Sequence, residues 1–356
     1  VKTVLRLLLL CVLAMFVASC ASLGYYAQAA HGQISLLAEA KPIDDWLADP
    51  VVNVKLKIKL AKAQEMRRFA ARELGLPDNG SYKTYADLKR RYVLWNVVAT
   101  PELSLKPLQW CFPIAGCVNY RGYYDREAAQ EYGAELRHEG YDVQVAGVAA
   151  YSTLGWFNDP FLSTFMHYPD GELARLVFHE LAHQVLYVQD DSQFNESFAT
   201  AVEEAGVERW MLLQADPKMR VAYAVYEGRK HDFLALLLKY RKRLEANYAR
   251  DASDAEKRQQ KAVIFQALKD EYQTLKVSWG GYRGYDRWFA APLSNAHLAS
   301  IATYHDLVPG FRALLAREKT FPAFYAAVKK LAQLDKAERH RRLTEMAQST
   351  LASSGR

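Results

Sequence analysis

The chain has 356 residues, 51% of them hydrophobic, and a formal net charge of +6. That length and apolar content suit one large domain or two closely packed ones. Setting aside residues 1–19, which carry Lys2, Arg6 and no acid, leaves +4, too small an excess to argue for a nucleic-acid partner. The basic run ERHRRL (338–343) reads as a solvated helix face.

In chain order, Lys2 and Arg6 precede the apolar run Leu7–Val17, followed by Val17-Ala18-Ser19-Cys20. A short basic region, a short apolar region and small residues describe an export signal rather than a spanning helix. The cysteine falls where cleavage should end, as in a bacterial lipobox. The expectation is therefore a signal peptide (1–19) and lipidation of Cys20, anchoring the chain to a membrane of the cell envelope. An ordinary signal with an incidental cysteine is the alternative. Ala21, in place of Asp, favours the outer membrane, facing the periplasm.

Residues 20–50 read as a lipidated tether that becomes structured, and 51–356 as a single domain. Val54, Ile58, Ala61, Glu65 and Phe69 mark a helix over 52–75, stopped by LGLPDNG. A second helix is expected from Tyr85 to Trp95, strands over 96–122, and a helix over 125–139 ended by Gly140. In CFPIAGC, Cys111 and Cys117 remain once Cys11 leaves with the signal and Cys20 is lipidated. In an exported protein such a pair forms a small-loop disulfide; a soft-metal site is the poorer alternative. Residues 141–155 read as two strands. Apolar helices follow over 171–187 and 193–215, then a charged helical hairpin over 217–276. WGGYRGYDRWF (279–289) is a Gly/aromatic loop, and helices near 294–316 and 320–349 close the chain. The fold class is α+β, mostly helical, with a small sheet.

The chemistry lies in LVFHELAHQVLY (176–187). On a helix, His179 and His183 stand about 40° apart in azimuth and about 6 Å apart in height, so both imidazoles can share one zinc ion. Glu180, rotated about 100° further, leans toward a water-filled position and suits a general base. A helix apolar nearly all round belongs in a core, where two histidines and a glutamate are costly without a metal. Core histidines satisfied by hydrogen bonds are the plainer alternative, and they leave Glu180 unexplained. A third ligand is needed. In FNESFATAVEEAG (194–206), Asn195 could cap a helix, Glu196 could reach the metal, and Ala199, Thr200 and Ala201 would let the helix approach closely. Glu203 lies two turns on along the same face, as an alternative ligand or a carboxylate orienting an imidazole.

HELAH followed by FNESFA resembles the gluzincin metallopeptidases, whose second motif supplies a glutamate ligand. More closely, WCFPIAGCVNYRGYYD (110–125), AYSTLGWFNDP (150–160), FHELAHQ (178–184), FNESFA (194–199) and SNAHLASIATY (294–304) resemble a bacterial family labelled "putative aminopeptidases" with zincin-type HExxH sites. The resemblance implies a zincin-like core, one Zn²⁺ and a peptide substrate. It also implies an edge strand at Ser152-Thr153-Leu154-Gly155 that binds extended peptide. No acid stands in that stretch to hold a free amine; Asp159 and Glu203 are the candidates to replace it. For the oxyanion donor, Tyr285 in GYRGYD ranks ahead of Tyr282, Tyr304 and His305. His167, His231 and His297 read as structural. The expected function is a zinc-dependent envelope peptidase. The alternative is a non-catalytic envelope scaffold with a structural or vestigial metal site.

Overall fold

A computed structural model describes residues 24–112, 116–213 and 217–354; the signal segment and Cys20 lie outside them. The described chain starts in helix α1 (residues 24–38). Strand β1 (Lys41–Pro42), α2 (Ile43–Ala48) and α3 (Val54–Leu74) follow. Asn53 caps α3 by accepting from the Lys55 amide, and Gly75, at φ 64°, ends it in the left-handed region that glycine adopts without strain.

Residues 85–95 are not a helix. Thr84–Ala86 form β2, which pairs with β1 on one side and with β8 (Phe161–Leu162) on the other. Lys89 then turns the chain at φ 52°. Strand β3 (Leu94–Pro101) has one face, carrying Val97 and Ala99, in a cluster with α4 (Arg126–His138). Its alternate residues Leu94 and Asn96 look the other way, into a cleft. The short strands β4 (Trp110–Phe112) and β5 (Gly116–Val118) form a hairpin closed by a Cys111–Cys117 disulfide, as the cysteine spacing predicts. Strands β6 (Arg121–Tyr123) and β7 (Tyr141–Val148) flank β3 in the order β6-β3-β7, both antiparallel to it.

The second strand expected near 150–155 is absent. Leu154 and Gly155 stand at φ 57° and 83°, and the turn is gathered around the buried Asp159 carboxylate. That group accepts from the Thr153 amide and hydroxyl at 3.0 and 2.7 Å. Two apolar helices, α5 (Asp170–His183) and α6 (Ser192–Leu212), run through the main core. The charged hairpin is α7 (Pro217–Ala249) and α8 (Asp254–Ser278), the latter opened by a capping box between Ser253 and Glu256. With α9 (Asp286–Phe289) and α10 (Asn295–His305) it surrounds a second apolar cluster. Helices α11 (Val308–Glu318), α12 (Phe321–Ala332) and α13 (Lys336–Ser354) complete a mostly helical α+β molecule. No helix among the described residues is long and apolar enough to cross a membrane.

Candidate metal centre

Helix α5 opens with Asp170 and Glu172 in its first turn, where carboxylates complement the helix dipole. Leu173, Ala174, Val177, Phe178, Leu181 and Ala182 bury it on nearly every side. His179 and His183 are thereby held on the remaining face, near its C-terminal end. Helix α6 is anchored at its start by Asp191, not Asn195. The Asp191 carboxylate is fully buried, caps the Phe194 amide, and pairs with Arg339 and His340 of α13. Asn195 instead clasps the preceding loop, exchanging two hydrogen bonds with the Val188 backbone. Ala199, Thr200 and Ala201 are buried, and Gly206, further along the helix, marks how closely α6 approaches α5. A methyl on Gly206 would sit 2.7 Å from Leu74 and 2.9 Å from Phe178.

This packing brings three donor atoms together. His179 Nε2 lies 3.1 Å from His183 Nε2 and 3.2 Å from Glu196 Oε2, and His183 Nε2 lies 3.6 Å from the same oxygen. Ligands about 2.0–2.1 Å from a tetrahedral ion stand about 3.3 Å apart. The triangle therefore fits one divalent ion, with a coordination position left toward the cleft. These three residues form the one group with metal-ligand spacing among the described residues.

Glu203 takes the other role considered for it. Its Oε2 accepts from His179 Nδ1 at 2.7 Å, turning Nε2 toward the ligand triangle. Arg175 Nη1 bonds the second Glu203 oxygen at 2.9 Å, and Lys230 of α7 stands 3.8 Å away. Arg175 is in turn gripped by Glu172, which accepts from the Tyr226 hydroxyl. The charged hairpin thus supports the imidazole from behind.

The electrostatics favour a cation at the triangle. Burial opposes charging His179, but its bonds to Glu196 and Glu203 prevail and hold its pKa up at about 10. Burial would raise Glu196, but the two imidazoles hold it down at about 2. A divalent ion bound at the triangle would supply that positive charge. Burial, above all, raises Glu180 from the usual carboxylate range; the histidines pull it back, and Glu196 and Asp159 push the same way as burial.

A cleft of about 340 Å³ opens over the triangle, and Glu180 lines it. Tyr25 and Ala29 of α1 form part of its wall, so the segment expected as a tether is built into the site. Gln33 of the same helix accepts hydrogen bonds from the Tyr124 and Tyr151 hydroxyls. Of the expected substrate strand, Ser152 and Leu154 line the cleft, but on the turn held by Asp159. Thr153 is spent on Asp159, and Gly155 packs near Gln184.

Tyr285 does not reach the cleft. It stacks on Phe233 with ring centroids 3.9 Å apart and packs in the second apolar cluster, because its glycine-containing loop folds back onto α7 and α8. A different tyrosine stands at the site. Tyr120, between β5 and β6, lines the cleft with 39% of its surface still exposed. Partial desolvation there, together with the nearby Glu196, Tyr187 and Glu180, raises its phenol above the usual tyrosine range. Nothing in the sequence separates Tyr120 from the other tyrosines. Arg175 was more legible, one helical turn before His179 on the same face.

Two histidines and a glutamate from adjacent helices stand at metal-ligand spacing, with a further glutamate lining the cleft beside them. A family model described as "Putative aminopeptidase" matches residues 24–343, and the chain belongs to that family. No curated protein and no solved structure matches it significantly.

Proposed function

We propose that this chain is a zinc-dependent peptidase, with His179, His183 and Glu196 as ligands and Glu180 as general base. The observation that carries the reading is the donor triangle, with sides of 3.1, 3.2 and 3.6 Å, at the floor of a cleft that Glu180 lines. When bound, zinc supplies Lewis acidity, which acidifies water and polarises a carbonyl. Glu180 takes a proton from the attacking water and returns it to the leaving amine. Its half-buried position in the cleft and raised pKa suit a group that both accepts and gives back a proton. Tyr120 takes the place first expected of Tyr285, its hydroxyl donating to the developing oxyanion. Glu203 holds His179 in the tautomer that presents Nε2.

The family description supports a substrate with a free N terminus. Asn96 lines the cleft with a buried Oδ1 that has no hydrogen-bond partner, and it accepts a bond from the substrate amine. The N-terminal pattern supports lipid anchoring at Cys20 in the cell envelope, with the cleft wall beginning a few residues later at Tyr25.

Digestion of a library of unblocked peptides tests the reading. Cleavage should disappear on chelation and return with zinc. Bound zinc with no cleavage of any peptide would favour the scaffold alternative.

A further inference from the structure

A second groove, lined by none of the three donor residues, carries a chemistry of its own. Strand β7 is an edge strand: β3 occupies one side, and no strand among the described residues pairs with the other. In an antiparallel strand, every second residue directs its N–H and C=O toward the outer edge. Residues 143–147 of β7 line a groove of about 1140 Å³, with Trp288 and Pro292 among the opposite wall. Five residues of extended chain span about 17 Å.

Four arginines line this groove: Arg91, Arg126, Arg137 and Arg287. All four are exposed, and no carboxylate lines the groove with them. No ion pair holds any of the four among the described residues, whereas ten of the nineteen other described arginines are so engaged. On α4 the stripe Arg126, Gln130, Gly133 and Arg137 turns toward β7. A methyl on Gly133 would fall 2.8 Å from Val145, so glycine is what lets α4 lie this close. The glutamates of α4 fall on the rotated stripe and do not line the groove.

We propose that this groove binds an extended acidic polypeptide segment, which adds as a strand to the free edge of β7 while its carboxylates pair with the four arginines. The open edge supplies main-chain hydrogen bonds and the arginines supply selection for negative charge. Arginines without a carboxylate partner (Arg91 rests only on the Tyr92 ring, 5.4 Å from its centroid) in a concave, aromatic-walled groove favour a peptide over a flat anionic surface, since a surface would leave the strand edge unused. The proposal is independent of the peptidase reading.

The test is fluorescence anisotropy on the full-length chain with a capped ten-residue peptide alternating Glu with Val or Thr. The peptide should bind, and binding should weaken with salt. The Arg126→Glu/Arg287→Glu variant, its fold checked by circular dichroism, should lose at least tenfold in affinity. N-methylation of alternate peptide residues, which removes strand pairing without touching the protein, should abolish binding. The proposal is overturned if the acidic peptide fails to bind, if a lysine counterpart binds equally, or if charge reversal has no effect. It is also overturned if the N-methylated peptide or an oligonucleotide of equal charge binds as tightly as the parent peptide.

Discussion

Glu203→Gln separates a ligand from a residue that orients one. The native carboxylate accepts from His179 Nδ1 at 2.7 Å and from Arg175 Nη1 at 2.9 Å, and it is only 2% exposed. An amide keeps the shape, removes the charge and turns an NH₂ toward one of two donors. Hydrogen bonds to charged groups contribute about 1.5–3 kcal/mol each. Arg175 keeps Glu172 through Nε and Nη2, so the net loss of fold stability should be about 2–4 kcal/mol. Removing a group that orients a ligand lowers metal affinity about 10–100-fold. Zinc binding, measured by competition with a chromophoric chelator, should therefore weaken within that range while stoichiometry stays at one ion per chain. Glu196→Gln should weaken it far more. The assignment is refuted if Glu203→Gln abolishes binding and Glu196→Gln leaves it intact.

Tyr120→Phe should lower kcat about 10²–10³-fold with zinc content unchanged, as loss of an oxyanion donor does; an unchanged kcat in steady-state assays would remove Tyr120 from the mechanism. Gly206→Val places side-chain atoms against Leu74 and Phe178 and should cost about 1–3 kcal/mol in urea denaturation; a neutral result would show that α5 and α6 are not in tight contact. Burial pushes the pKa of His297 down to about 4, and its Nδ1 accepts from the Ser294 amide. Its neutral form is the one that fits, so the unfolded chain binds the extra proton first. Stability should fall as pH drops from about 6.5 toward 4, by on the order of 2–3 kcal/mol. His297→Gln should flatten that part of the profile, and equal slopes for parent and variant would contradict the linkage.

The legible parts of the molecule were those fixed by local periodicity or by a spacing with one chemical use. The paired histidines His179 and His183, the disulfide and most helices are of this kind. Tyr85–Trp95 misled because its apolar spacing also suits a strand, and pairing of β2 on both sides decided the matter. AYSTLG misled because the pull of Asp159 on Thr153 and Ser152 is invisible until the chain folds. Tyr285 and Tyr120 both lie in loops rich in glycine and tyrosine, and only tertiary packing shows which loop lines the cleft. The four groove arginines are scattered from 91 to 287, so no charge run announced them.

The most direct test of the central claim is hydrolysis of an unblocked peptide by parent and Glu180→Gln proteins loaded to equal zinc content. The account predicts full metal occupancy in both, with turnover abolished in the variant. Equal turnover in the two would contradict it.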